Sequence, residues 1–181
     1  MSDPNAAGTG TSRAAFRVSA ELPIRYRPLA AAEAARLALE IEQARDGESE
    51  LPARLADRLQ RIEHKLDLVL HQLDPSQPPP LSARDGASIA LSAAGVALAA
   101  KQALPLDSLV LVELLLPGPA PRPVRAVARV ARCQEKRGPE AGLLLAFAFR
   151  AIHCDDREAI ARFANEVQRA DLRRRSEARG A

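Results

Sequence analysis

The sequence predicts an α+β protein in which an antiparallel β domain is interrupted by a helical insertion and followed by a C-terminal helix. Three observations support this prediction. Strand-like alternation of apolar residues occupies residues 12–28 and 81–152, helical periodicity occupies residues 29–74, and a second helical pattern begins near residue 155. The 181 residues are enough for one such domain with an appended element.

Composition narrows the classes of function. The 26 basic and 23 acidic residues are mixed along the chain, and a net charge of +3 does not by itself indicate nucleic-acid binding. Cys133 and Cys154 do not form a CxxC pair, and we expect both to be reduced in a cytoplasmic protein. The longest apolar run, residues 109–117, contains a glutamate, so no membrane insertion is expected. Residues 1–11 are small and polar and are expected to be disordered.

The β pattern divides into six candidate strands. The first lies within residues 12–28, where apolar residues alternate up to Pro28. The other five are separated by segments with turn-forming residues, and they occupy residues 87–91, 95–99, 109–116, 124–133 and 142–152. Short strands at regular intervals, with no helices between them, are typical of an antiparallel barrel or sandwich.

The helical region has two halves, which residues 46–49 separate into a predicted hairpin. In the first half, residues 30–45, apolar residues recur at 4-3-4-3 spacing. In the C-terminal helix the predicted buried stripe consists of Ile160, Phe163, Ala164 and Val167. We expect Asp155 or Asp156 to cap the start of that helix. Its end is basic from residue 169, and residues 176–181 form a basic tail.

A heptad pattern runs through the second half of the helical region. Its apolar residues are spaced 4-3-4-3-4, and they are Leu55, Leu59, Ile62, Leu66, Val69 and Leu73. Leucine at a, with β-branched residues at two of the three d positions, favours a four-stranded parallel coil, because β-branched side chains fit poorly at d in a two-stranded coil. Arg58 at g can pair with Glu63 at e of a neighbouring chain. We therefore predict a parallel homotetramer; the alternatives are a trimer, a dimer, or a helix buried within its own domain.

Few residues have an arrangement typical of catalysis. His64 and His71 both fall at the outward f position of the heptads and are expected to be solvated. His153 and Cys154 precede Asp155, but side chains adjacent along the chain rarely converge on one reacting atom. The sequence has no phosphate-binding glycine loop, no GxSxG and no HExxH motif. We predict a protein that is not an enzyme and that holds no metal and no cofactor.

Two basic residues at the start of the first strand suggest ligand binding instead. Arg13 and Arg17 are four residues apart, a pair suited to gripping phosphate and stacking on a base. Residues 89–96 have the pattern of strand, turn and strand, with Ser92 and Gly95 in the turn. Together these features resemble the PilZ domain, a six-stranded barrel with a C-terminal helix that serves as a receptor for cyclic di-GMP. In that family an RxxxR motif precedes the first barrel strand and a (D/N)xSxxG motif follows on a strand and turn.

The resemblance covers residues 13–28 and about 82–175, and it includes the strands at 104–117 and 124–132. It implies a barrel domain built from residues 12–28 and 81–175, with residues 29–74 as an insertion. A helical insertion with heptads is itself similar to a tetrameric subset of PilZ proteins. The implied cyclic di-GMP site consists of Arg13, Arg17, Ala90, Ser92 and Gly95.

The sequence departs from the family motif at one position. Ala90 occupies the place of the Asp or Asn in (D/N)xSxxG. Asp85 cannot replace it, because a motif starting at Asp85 would require Ser at position 87 and Gly at position 90. The resemblance implies that the missing group would contact guanine, and alanine can neither donate nor accept a hydrogen bond. A buried polar edge of a ligand that has no hydrogen-bonding partner reduces the binding free energy by about 1–3 kcal/mol, which is roughly 5- to 150-fold in affinity. We therefore expect nucleotide binding to be weakened or lost.

These observations lead to two functional hypotheses. The first is an oligomeric regulatory or adaptor protein of cyclic di-GMP signalling that acts through an unknown protein partner. The second is a scaffold that presents several β modules to a protein partner independently of the nucleotide. Nucleic-acid binding through residues 169–179 is not predicted, because the run lacks interleaved aromatic residues and a solvated helix end explains it better.

Overall fold

The chain folds as a closed antiparallel β-barrel with helices packed on its outside and across one end. The computed structural model describes residues 17–43, 81, 86–118, 121–136 and 142–180, together with nine positions between 55 and 73. The elements are β1 (Val18–Pro28), α1 (Ala31–Gln43), β2 (Gly86–Ser92), β3 (Gly95–Ala100), β4 (Leu109–Leu116), β5 (Arg122–Lys136), β6 (Gly142–Ile152) and α2 (Cys154–Gly180).

The barrel has the strand order β1-β2-β3-β6-β5-β4. The barrel closes because β1 is long enough to pair with two strands. Its first half, from Val18 to Pro23, pairs with β2, and its second half, from Ile24 to Pro28, pairs with β4. All six predicted strands are present, and β4 and β6 have the predicted bounds. The six-stranded antiparallel barrel with a C-terminal helix is thus confirmed, and the sandwich alternative is wrong.

The interior of the barrel is filled by the apolar residues that alternate along each strand. Buried side chains on the six strands include Leu91, Val112, Val130 and Leu145. Tyr26 packs against Phe147 with ring centroids 5.0 Å apart, and burial raises the pKa of the Tyr26 phenol above its usual 10.0. The period-two alternation in the sequence therefore corresponds directly to the core.

Helix α2 closes one end of the barrel through the stripe that the sequence predicts. Ile160 and Ala164 are buried in the barrel core, and Phe163 and Val167 pack partly buried against it. The helix contacts β1 and β2 after starting from the end of β6, so it crosses the barrel mouth. It then continues to Gly180, through the segment predicted as a basic tail.

Helix α1 packs on the outer surface of the barrel. Its periodicity predicts a buried face but does not indicate what that face packs against. The buried residues of α1 are Ala34, Leu37 and Ile41. They form a second apolar cluster with outward-facing side chains of β4, β5 and β6, namely Leu111, Val127 and Ala151. Because β4 is covered on both faces, its sequence is a nearly continuous apolar run with only one charged residue.

Ion pairs add to the attachment of α1 along its exposed edges. Arg27 of β1 donates to Glu33 of α1 at 2.7 Å, and this hydrogen bond lowers the pKa of the Glu33 carboxyl. Arg125 of β5 lies 3.8 Å from Glu40 of α1 and 3.6 Å from Glu113 of β4. These pairs are largely exposed, so the apolar cluster supplies most of the free energy that holds α1 in place.

The start of α2 corrects one expectation from the sequence. The amide of Arg157 donates to the carbonyl of His153 at 3.0 Å, so the first helical hydrogen bond begins at His153 and this residue is the N-cap. Its Nδ1 atom accepts a hydrogen bond from the amide of Asp155 at 3.3 Å. The prediction that Asp155 or Asp156 caps the helix is wrong, because both lie inside its first turn.

Asp156 instead joins α2 to the barrel. Nε and Nη2 of Arg122, at the start of β5, donate to Asp156 Oδ1 at 2.9 and 2.7 Å, and the Asp156 side chain is only 7% exposed. Because two charge-assisted hydrogen bonds reach a buried carboxylate, this is the strongest polar interaction between α2 and the barrel among the described residues. Sequence periodicity gives no indication of it, since the two residues are 34 positions apart.

Replacing Arg122 by alanine is expected to lower the free energy of unfolding by about 2 kcal/mol, because a buried carboxylate loses both of its hydrogen bonds from the guanidinium. Urea denaturation measures the change. The double variant Arg122→Ala/Asp156→Ala should lose less than the two single variants added together. Additive losses would show that the two side chains contribute independently.

Candidate ligand face and apolar stripe

The structure brings the described residues of the predicted ligand site to one end of the barrel. Arg17 immediately precedes β1 and is exposed. Val18 pairs with Leu91, so Arg17 lies beside the end of β2, where Ser92 begins the turn to Gly95. Arg13 lies outside the described residues. The spacing of the motifs in the sequence therefore corresponds to proximity in the fold for Arg17, Ser92 and Gly95.

Ser92 and Gly95 each have a structural role that is independent of any ligand. The Ser92 side chain is buried, and its Oγ donates to the Gly95 carbonyl at 3.2 Å. A Cβ atom at Gly95 would overlap the carbonyl oxygen of Phe147 on β6 and would lie 3.2 Å from the Cα of Ala148. The backbone approach between β3 and β6 thus requires glycine at this position, whether or not a ligand binds.

Ala90 lies in a row of small side chains that crosses four strands on the outside of the barrel. Ser19 pairs with Ala90, Ala90 with Ala97, and Ala97 with Ala146. We call these four residues the small-residue row. Ser19 is exposed and the three alanines are half-buried, so the row is open to solvent. Apart from the Ser19 hydroxyl, its side chains offer neither a donor nor an acceptor.

Two arginines of β5 lie next to the β6 end of the small-residue row, which is the end away from Arg17. They were not predicted from the sequence. Arg132 pairs with Ala146 at the end of the small-residue row, and Arg129 pairs with Ala148 one row away. Arg129 forms an ion pair with Asp107, a loop residue whose φ of 63° is in the left-handed region. The sequence shows Arg129 and Arg132 as polar positions in an alternating strand, but only the register of β5 on β6 places them here.

The heptad positions form an exposed apolar stripe within a single chain. All nine described positions between 55 and 73 are helical. The exposed fractions of the six predicted a and d residues range from 40% for Leu59 to 77% for Leu73. We define these six residues as the apolar stripe: Leu55, Leu59, Ile62, Leu66, Val69 and Leu73. None of them belongs to either apolar core cluster of the described residues.

Among the residues that the structure describes, one group of metal-ligating residue types occurs, at the start of α2. Ligand atoms of His153, Cys154 and Asp155 all lie within 4.8 Å of one another. The amide of Asp155 already donates to Nδ1 of His153, and the first turn of a helix carries positive potential that disfavours a cation. The group is therefore better explained by capping than by metal binding. His64 and His71 lie outside the described residues.

Comparison with known proteins identifies the fold. No protein-family model and no curated protein matches the sequence. Among solved structures, the chain is similar to a pathogenic protein from Xanthomonas campestris, a tetrameric PilZ domain self-assembled through a helical bundle. The TM-score is 0.50 at 18% identity, over 88% of this chain and 91% of that one. The chain has a PilZ fold.

A second similar structure has the same fold. It is the Bacillus subtilis inhibitor of motility, MotI/DgrA, with a TM-score of 0.51 at 13% identity. The match covers 86% of this chain and 51% of that one, so this chain corresponds to about half of it. The PilZ resemblance drawn from the RxxxR and SxxG residues is confirmed at the level of the fold.

The described part of this PilZ-fold chain contains no helix that is both long and apolar enough to span a membrane.

Proposed function

We propose that this chain is a non-catalytic regulatory or adaptor protein of cyclic di-GMP signalling, acting in the cytoplasm as an oligomer of PilZ-fold barrels. In this proposal the apolar stripe joins the chains, and direct binding of cyclic di-GMP is weakened or lost. The observation that carries the proposal is the apolar stripe: six regularly spaced side chains stay exposed although the barrel core is complete without them. The free thiols of Cys133 and Cys154 suit a reducing compartment.

The apolar stripe is suited to self-association. Apolar residues at heptad spacing on one helix face bury one another when several such helices pack side by side. Two exposed basic residues, Arg58 and Lys65, both fall at g. In an antiparallel pair g faces g, so these like charges favour the parallel arrangement. The Xanthomonas campestris protein of the same fold, which assembles through a helical bundle, supports a tetramer.

The small-residue row supports the proposal of weakened nucleotide binding. Alanine stands where the family motif has a carboxylate or amide, and its cross-strand neighbours Ser19 and Ala97 do not supply a longer polar side chain. The buried Ser92 hydroxyl is already engaged with the Gly95 carbonyl. Arg17 remains exposed and available for a phosphate.

Calorimetric titration with cyclic di-GMP tests this part of the proposal. We expect the wild type to bind with a Kd above about 10 μM or to give no heat, and Ala90→Asp to bind roughly 5- to 150-fold more tightly because a hydrogen-bonding group is restored. Arg13→Ala/Arg17→Ala should abolish whatever heat remains. The matched control is Ala99→Asp, which adds the same charge at an exposed position of β3 outside the motif and should leave affinity unchanged. Submicromolar binding by the wild type would overturn the proposal of weakened binding.

A second candidate function is a scaffold that does not respond to the nucleotide. It is favoured by the structural roles of the two motif residues, which need no ligand to explain them: Ser92 donates a hydrogen bond within the β2–β3 turn, and Gly95 allows β3 to approach β6 closely. This candidate predicts no cyclic di-GMP heat in either the wild type or Ala90→Asp, and a partner captured equally with and without the nucleotide. Restored binding in Ala90→Asp would exclude it, because the rest of the site would then be shown to be intact.

A further inference from the structure

Helix α2 extends well past the barrel that it closes. Its last apolar residue packed on the core is Val167, whereas the helix continues to Gly180. At 1.5 Å per residue this extension is roughly 20 Å long. All residues from Asp171 to Ala178 are exposed. Because α2 crosses the barrel mouth toward β1 and β2, the extension leaves the barrel at the end where Arg17 precedes β1.

One side of this extension is basic around a single apolar residue. Leu172 is 65% exposed and has Arg169 three residues before it and Arg175 three residues after it, while Arg173 is four residues from Arg169. Residues at these spacings are neighbours on a helix surface. We call these four residues the basic face: Arg169, Leu172, Arg173 and Arg175. At about 100° per residue, Arg169 and Arg173 lie on the side of α2 opposite Ile160, whereas Leu172 and Arg175 lie on the flank between that side and the line of the buried stripe.

The charge of the basic face is not neutralised within the part of the chain that the structure describes. There Arg174, on another side of the helix, pairs with Asp171 at 3.8 Å, but Arg169, Arg173 and Arg175 form no ion pair. Arginines near a helix C-terminus interact favourably with the helix dipole, which accounts for some positive charge. That effect does not require charges on both sides of an exposed leucine.

We propose that the basic face docks an acidic segment of a protein partner, with carboxylates on the guanidiniums and an apolar side chain on Leu172. This proposal rests on the adaptor function proposed above and names the chemistry of its partner. Guanidinium pairs with carboxylate in a bidentate geometry, and all the basic residues of the extension are arginine. A nucleic acid would bring phosphates close to Asp171 and Glu177, and one leucine offers too little apolar surface to bind a membrane.

Fluorescence anisotropy with a defined probe tests the proposal. The probe is a labelled helical peptide of about 15 residues made of Glu, Leu and Ala, with glutamates on both sides of a leucine stripe. Its comparator has glutamine in place of every glutamate. We expect saturable binding of the acidic peptide, weakening as salt is raised, and no binding of the comparator. The variant Arg169→Glu/Arg173→Glu should weaken binding about tenfold or more, and Leu172→Ala about fivefold.

The matched control is Arg157→Glu/Arg162→Glu, which makes the same charge change at exposed positions of α2 over the barrel and should bind as the wild type does. Circular dichroism establishes that each variant keeps its helix, and Arg173→Gln provides a milder change at the same face. The proposal would be overturned if the control variant weakened binding equally or if the wild type did not bind the acidic peptide. It would also be overturned if the wild type bound a DNA duplex or phosphatidylglycerol vesicles more tightly than the acidic peptide.

The same assay separates this proposal from the proposed self-association. A single peptide occupies one chain, so the variant Ile62→Asp/Val69→Asp should bind it with the wild-type Kd per chain even as separate chains. Loss of peptide binding with an intact oligomer would refute the docking alone. An unassembled wild type that binds the peptide would refute the oligomer alone.

Discussion

Aspartate at both Ile62 and Val69 is expected to reduce the proposed oligomer to single chains of 19.4 kDa. In a parallel coil both residues lie at d, so each substitution would gather one carboxylate per chain in a layer that excludes water. Burying such unpaired charges costs several kcal/mol per ion, more than the packing of a three-heptad helix can offset. The barrel should remain folded, because the apolar stripe belongs to neither of the described core clusters. Light scattering on a sizing column measures the mass, and thermal unfolding checks the barrel.

The heptads themselves provide the control for this experiment. His64→Asp/His71→Asp places two carboxylates on the same segment at the outward f positions. We expect this variant to keep the wild-type mass, since its new charges stay in water. Dissociation of both variants would mean that added charge, rather than the a and d interface, controls assembly. An unchanged mass for Ile62→Asp/Val69→Asp would show that the chains associate through another surface.

Alanine at Gly95 is expected to destabilise the barrel by about 3 kcal/mol, because the added methyl group meets backbone atoms that cannot rotate away. Its Cβ would overlap the Phe147 carbonyl oxygen and lie 3.1 Å from the carbonyl carbon. Relief requires β3 and β6 to separate, although Phe147 is itself buried in the core. Urea denaturation measures the loss, which should appear as a lower midpoint with an unchanged slope.

Gly142 is the matched control for Gly95. It lies at the start of β6, where a Cβ atom would meet nothing within 4 Å. Gly142→Ala should therefore change the free energy of unfolding by less than about 0.5 kcal/mol. If Gly95→Ala were equally harmless, the close approach of β3 to β6 would be wrong. A destabilised Gly95→Ala also means that loss of ligand binding in this variant is not evidence for a contact between Gly95 and the ligand.

The strands and the helix on the barrel surface were predictable because burial leaves a period in the sequence. Alternation predicts β4 and β6 with their observed bounds, and the 3-4 spacing of Ala34, Leu37 and Ile41 gives the face that packs on the barrel. The surface that receives α1 was not predictable. Leu111 and Val127 become its partners only because the register of β4 on β5 places them opposite each other.

The candidate site likewise contains residues that the sequence predicts and residues that it does not. Arg17, Ser92 and Gly95 were found because they lie in short motifs, and the fold places them together. Arg129 and Arg132 were missed because they reach the candidate ligand face through strand pairing, which leaves no local pattern. The cap at His153 was missed for another reason: imidazole is not among the side chains usually preferred at an N-cap, whereas the aspartates after it are.

The mass of the wild-type chain in solution tests the central claim most directly. The six residues of the apolar stripe are exposed in a single chain, and a chain that remains single would keep them in water. Light scattering across a dilution series should give about four times the 19.4 kDa of one chain, with no dependence on the presence of cyclic di-GMP. A mass of 19.4 kDa at every concentration would contradict the proposed self-association through this helix.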